Sequence, residues 1–131
     1  MKCLDTSLLI DLTRDRPEAT KAVEAAEAMG AVTTEINAFE LYAGAYRDGK
    51  PVAREVKAVE DALRRVEVLP LTRHATRRAA EIAAFLRAQG RTVGALDVLI
   101  AAIASVHGID TIVTANAEDF RRIPGLRVES Y

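Results

Sequence analysis

Residues 95–113 read ALDVLIAAIASVHGIDTIV. Ala95 to Val106 predicts a helix, Gly108 closes it, and Thr111-Ile112-Val113 predicts a short strand. The helix is apolar all round and the strand is rich in β-branched residues, so both are expected inside the molecule. The alternation continues toward the C-terminus with a short helix from Glu118 to Ile123 and a strand at Leu126-Arg127-Val128. Toward the N-terminus, Cys3-Leu4 reads as a strand followed by a helix from Thr6 through Leu12. Pro17 to Met29 reads as a helix with proline at its first position and Gly30 beyond its end. Ala31-Val32-Thr33 is a strand, and Thr34 to Arg47 a helix that stops at Asp48-Gly49. Pro51 opens a helix in which Val52, Val56, Val59, Leu63 and Val66 form one stripe. A strand follows near Val68-Leu69. Thr72 to Gln89 is a helix with Ala75, Ala79, Ile82, Ala83 and Leu86 inward, closed by Gly90. Short apolar strands alternating with helices specify an α/β fold, a parallel sheet with helices on both faces. In such folds the site lies beyond the carboxyl ends of the strands.

A chain of 131 residues, half of them apolar, fits one domain, 1–131. Its 28% charged residues keep it soluble. One cysteine, Cys3, excludes an internal disulfide and any multi-cysteine metal cluster. The two histidines, His74 and His107, follow no metal-ligand spacing. Eighteen basic against 19 acidic residues give a net charge of −1. That excludes a strongly basic nucleic-acid glue but not a nuclease, because bound divalent ions would reverse the sign. The start shows no secretory signal, with Asp5 and Asp11 interrupting the apolar run. Val98 to Ala104 is too short to cross a bilayer. A cytoplasmic location, with no membrane contact, is the expectation.

The informative residues are acids in unfavourable places. Asp5 follows the first strand directly, where a helix N-cap is the competing explanation. Asp97 sits in the apolar helix, where desolvating a lone carboxylate costs several kcal/mol. Capping or a first-turn dipole returns only about 1 kcal/mol of that. Glu40 lies beside Ile36, Ala43 and Gly44 on its helix, at the edge of the apolar arc. Gly44, one turn on, weakens the helix and clears space beside the carboxylate. Asp119 lies just past a strand, where capping of the short helix competes.

Four carboxylates brought to one sheet edge make an all-oxygen site. Such a site selects hard cations, Mg²⁺ or Mn²⁺, over zinc. The expectation is a single pocket in which the acids repel until a divalent ion relieves them. The matching chemistry is metal-assisted hydrolysis of a phosphodiester. Thr6, Ser7, Thr114 and Asn116 are candidates to orient water or phosphate. Arg14, Arg16, Arg47, Lys50, Arg91, Arg121 and Arg122 are candidates for a basic rim around the acids.

Leu4-Asp5-Thr6-Ser7, Glu40-Leu41-Tyr42-Ala43-Gly44-Ala45, Gly94 to Ala102, and Thr114 to Phe120 with Pro124-Gly125-Leu126 resemble the PIN-domain ribonucleases. They are most similar to the VapC toxins of prokaryotic toxin–antitoxin pairs. The resemblance spans nearly the whole chain. It implies a single PIN-like domain with a five-stranded parallel sheet, and a Mg²⁺- or Mn²⁺-dependent endoribonuclease. Asp5, Glu40 and Asp97 match the three most constant acids. Asn116 stands where some relatives carry aspartate, which makes Asp119 the candidate fourth acid. The resemblance also implies an RNA substrate, a homodimer, and a cognate VapB-like antitoxin whose basic side chain enters the acidic site.

Other functions fit the residues less well. A haloacid-type phosphatase needs a second aspartate two residues after Asp5, where Ser7 stands. A receiver-like signalling module needs an acceptor aspartate after its third strand, and Val68-Leu69-Pro70-Leu71 has none. A housekeeping RNA-processing nuclease of the same fold is the nearer alternative.

Overall fold

The computed structural model describes residues 1–131. The chain alternates as expected: β1 (Lys2–Leu4), α1 (Thr6–Thr13), α2 (Pro17–Ala28), β2 (Ala31–Thr34), α3 (Glu35–Ala45), α4 (Val52–Leu63), β3 (Glu67–Leu69), α5 (Arg73–Ala88), α6 (Ala95–Val106), β4 (Thr111–Val113), α7 (Ala117–Arg121) and β5 (Arg127–Glu129). All four strand pairings are parallel and the order is β3-β2-β1-β4-β5. The chain builds outward from β1 in one direction, then restarts on its other side with β4. The switch point therefore lies between β1 and β4, where a crevice opens at the strand ends.

Strand alternation sorts the core into two layers. Cys3, Val32 and Ile112 face α5 and α6 and pack with Ile82, Leu86, Ile100, Ile103 and Phe120. Leu4 and Val113 face the opposite side and pack with Leu8, Leu9, Val23, Leu41 and Val59 from α1–α4. Burial of Cys3, with the nearby Asp5 charge adding to it, pushes its thiol up to about 12. It is therefore inert as a nucleophile or metal ligand. The valine stripe of α4 covers the edge of the second layer, and Val52 at its start is 39% exposed. The helix at 95–106, expected to be buried all round, has an exposed first turn: Leu96 is 38% exposed. That turn emerges from the sheet edge, which is why the carboxylate at Asp97 is tolerated there.

Beyond β5 the chain folds back onto α1, where the Tyr131 hydroxyl donates to Asp11 Oδ2 at 2.6 Å. Arg16 holds the other Asp11 oxygen at 3.2 Å. Tyr131→Phe removes one charge-assisted bond, worth about 1 kcal/mol at this half-buried position. The expected result is a thermal midpoint lower by about 3–5 °C, measured by circular dichroism.

Candidate active site

Asp5 occupies the N-cap position of α1 with extended backbone (φ −78°, ψ 162°), yet its side chain caps nothing. Its oxygens are taken elsewhere. Oδ1 accepts from Asn37 Nδ2 at 3.2 Å, and Oδ2 accepts from Thr114 Oγ1 at 2.6 Å. Ser7 Oγ approaches Oδ2 at 3.4 Å. The capping explanation for Asp5 is thereby set aside, and the carboxylate is fixed in one orientation at 5% exposure.

Asn37 does this fixing, and sequence reasoning missed it. It is fully buried at the third position of α3. Its Oδ1 accepts from the Thr34 hydroxyl at 2.7 Å and the Thr34 backbone N–H at 3.2 Å. Its backbone N–H returns a bond to Thr34 Oγ1, completing a capping box. With the carbonyl oxygen committed to Thr34, the amide nitrogen must face Asp5 and Thr6. It donates to Thr6 Oγ1 at 2.9 Å, and Thr6 in turn donates to Glu40 Oε1 at 2.7 Å. An unbroken chain of hydrogen bonds thus joins Asp5 to Glu40 through Asn37 and Thr6. The sequence signal was a Thr three residues before an Asn at a helix start, which reads only as a cap.

Three of the hydroxyl candidates are tied to carboxylates: Thr6 to Glu40, and Thr114 and Ser7 to Asp5, with Thr6 and Ser7 half-buried. Thr114 is fully buried, so it cannot meet a water or phosphate outside. It accepts from the Asn116 backbone N–H, and Ser7 Oγ accepts from the Ala115 N–H. These bonds tie the loop after β4 to the start of α1 across the switch point. The Asn116 side chain is exposed and bonds to nothing in the chain.

Asp97 is the third residue of α6, half-buried, with no lysine or arginine within 4 Å and no hydrogen bond to its carboxylate. Its pKa is raised to about 6 by burial first, then by the charges of Asp5, Glu40 and Asp119. All four predicted acids therefore share one electrostatic neighbourhood. Glu40 is also raised, by burial and by Asp5, with the Thr6 bond pulling the other way. Asp119 lies on α7 with Arg122 at 3.6 Å. Arg122 also donates to the Thr92 carbonyl and pairs with Glu118. Two rim candidates, Arg122 and Arg16, are therefore already engaged within the chain.

The acids form an open edge, not the pocket expected from sequence. All five cavities of the chain are lined by other residues. No three of the acids close to ligating distance around one point. This arrangement still fits a hard divalent ion. Mg²⁺ takes oxygen ligands, keeps several waters, and needs only one or two carboxylates. Asp5 Oδ1 keeps one lone pair free beside its bond from Asn37. The charges of Asp5, Glu40 and Asp119, which add to burial in raising Asp97, also draw a cation. Without a cation, three carboxylates with no basic partner repel one another across this edge.

A model of the PIN domain family matches residues 2–126. The chain is 32% identical over 128 residues to the tRNA(fMet)-specific endonuclease VapC of Salmonella typhimurium, covering 98% of this chain and 96% of that protein. It is 30% identical over 128 residues to ribonuclease VapC2 of Haemophilus influenzae, with the same coverage. The crystal structure of DNA-bound VapBC from Salmonella typhimurium superposes with a TM-score of 0.87 at 31% identity, over 98% of this chain and 96% of that one. A chain of VapBC2 from Rickettsia felis reaches 0.90 at 23% identity, covering 99% and 98%, a likeness of fold.

Proposed function

The chain belongs to the PIN-domain family, and within it to the VapC group; from that premise we propose that it is a metal-dependent endoribonuclease, the toxin of a VapBC-type pair. Its substrate is RNA, cut by hydrolysis of a phosphodiester, and its protein partner is a VapB-like antitoxin. The Salmonella and Haemophilus relatives carry the names endonuclease and ribonuclease, and their activity class transfers with the near-full-length likeness. The observation that carries the reading within this chain is Asp97. A carboxylate raised by its burial and then by three neighbouring acids, with no basic side chain in reach, is a site prepared for a cation.

Asp5, Glu40 and Asp97, with Asp119 as the fourth, would hold Mg²⁺ or Mn²⁺. The ion supplies Lewis acidity for water activation and neutralises charge on the phosphate. The chain's own residues do the positioning. Asn37 and Thr114 fix the plane of the Asp5 carboxylate, Thr6 fixes Glu40, and the first turn of α6 presents Asp97 at the crevice mouth. Arg122 beside Asp119 offsets part of the negative field on the α7 side. A basic antitoxin side chain would compete with the ion for the same carboxylates.

Holding an ion requires Asp97 ionised, so RNA cleavage should fall as pH drops through about 6 and plateau above it. EDTA should abolish cleavage and excess Mg²⁺ or Mn²⁺ restore it. The test incubates the protein with structured RNA, p-nitrophenyl phosphate and a small phosphodonor, each with Mg²⁺ and with EDTA. Cleavage of RNA alone, and only with the metal, is the expected result. Full cleavage in EDTA would contradict the metal, and hydrolysis of p-nitrophenyl phosphate alone would contradict the substrate. The proposal includes a homodimer. An apolar groove of about 500 Å³ between α5 and α6, lined by Ala79, Ala83, Leu86, Val98 and Leu99, supports an association surface.

A further inference from the structure

α1 and α3 leave the acidic edge side by side. They touch near their starts through the Thr6–Glu40 bond. Farther along, Thr13 and Arg14 of the α1 end meet Gly44 and Arg47 of the α3 end around a recess of about 70 Å³. Lys50 and Glu55 complete its rim. Glu40 and Gly44 lie one turn apart on one face of α3, and Arg47, two residues past the helix end, joins Gly44 around the recess. The rise from Glu40 to Gly44 is about 6 Å, comparable to the separation of neighbouring phosphates along a strand.

Arg14, Arg47 and Lys50 form no ion pair and no side-chain hydrogen bond within the chain. Two helix C-termini nearby contribute about half a negative charge each, and Glu55 adds one. Three cations exceed that sum, so the residues lining the recess carry a net positive charge beside the acidic edge. Gly44 lies in its wall, and a Cβ built there meets no atom within 4 Å. The helix gives up stability at this glycine and gains open space between the cations.

We propose that the Arg14–Arg47–Lys50 recess is a phosphate subsite. It holds an RNA backbone phosphate neighbouring the scissile one and so aligns the strand along the valley from α1 and α3 to the acids. This rests on the ribonuclease reading for the identity of the strand. A recess this small suits a phosphate group rather than a base. Bidentate arginines suit phosphate oxygens. The subsite would give affinity without sequence preference.

The test measures binding of a fluorescein-labelled 20-nucleotide oligouridylate by anisotropy, with cleavage of the same RNA measured separately. The proteins are the wild type, Arg14→Gln/Arg47→Gln, Lys50→Gln, Gly44→Leu, and Lys21→Gln on α2 as a charge control remote from the recess. The double variant is expected to weaken binding about tenfold. The slope of log affinity against log salt should flatten by about 0.7 for each phosphate no longer neutralised. Gly44→Leu, which favours the helix and fills the recess, should weaken binding at unchanged or higher thermal stability. In cleavage, KM should rise with kcat within about twofold. Unchanged binding in the double variant, or an equal loss in Lys21→Gln, would overturn the subsite. So would intact RNA binding with lost affinity for an acidic peptide, which would make the recess a protein-docking site. Should the wild type bind RNA in this manner yet never cut it, the subsite stands and the ribonuclease reading falls.

Discussion

Asp97→Asn and Asp5→Asn should each reduce RNA cleavage by on the order of 10³-fold, about 4 kcal/mol of lost transition-state stabilisation, while moving the stability of the fold in opposite directions. Asp97 accepts no hydrogen bond and has no basic partner. Its proton affinity is raised from an ordinary 3.8 to about 6 on folding. Below about pH 4 both the folded and unfolded chains carry the proton, and this group's stabilising share is fully present. It is lost as pH rises through 6, because the folded chain must then hold a half-buried ionised carboxylate beside three others. At face value the loss is roughly 3 kcal/mol at neutral pH. Water around a half-exposed group screens that to about 1 kcal/mol. Asp97→Asn should therefore raise the thermal midpoint by about 3–5 °C at pH 7.5 in EDTA, with the gain gone at pH 4. Asp5 is the reverse case. Its carboxylate accepts charge-assisted bonds from Asn37 and Thr114, and amide substitution weakens them, lowering stability by about 1 kcal/mol. Calorimetric scans at the two pH values, with cleavage assays, check both halves. A pair of variants that both destabilise would show that Asp97 is not under electrostatic strain.

Asn37→Ala is expected to produce the next largest effect. The change removes a buried amide that satisfies Thr34, Asp5 and Thr6 at once. The orphaned buried groups cost about 1–3 kcal/mol each, less what water recovers. Freed from Asn37, the Asp5 carboxylate and the Thr6 hydroxyl can rotate, and Glu40 loses its fixed donor. Loss of a residue that orients ligands typically costs about 10–100-fold. Cleavage should fall by that factor, with the metal concentration needed for half-activity rising in parallel. Asn37→Asp is sharper still, since it sets a second carboxylate against Asp5 and should fail to reach wild-type activity at any Mg²⁺ concentration. Wild-type metal dependence in Asn37→Ala would show that the hydrogen-bonded chain is structural only.

The order of elements was legible because each boundary carries a local signal. Pro17 starts α2, Gly30 and Gly90 adopt left-handed backbone past α2 and α5 (φ +84° and +68°), and β-branched pairs mark the strands. Asp97 stood out in the sequence as a lone carboxylate in an apolar helix, but the emergence of that helix's first turn from the sheet edge did not. Asn37 was not legible, because the same amide serves a cap through its oxygen and the acidic edge through its nitrogen, and only the second depends on tertiary structure. The burial of Thr114 depends on β4 lying beside β1, which the residues at 111–114 do not encode by themselves. Arg122 was a candidate for the basic rim, although Glu118 and Asp119 stand four and three residues before it at pairing distance. The open shape of the acidic edge follows from where α6 and α7 end relative to the sheet, a matter of packing that no periodicity reports.

Mn²⁺ binding, measured by electron paramagnetic resonance on the intact chain at pH 7.5, tests the central claim most directly. The wild type should take up Mn²⁺ saturably, and Asp97→Asn, folded and more stable than its parent, should lose that uptake. Equal uptake by the two proteins would place the ion elsewhere and contradict the account.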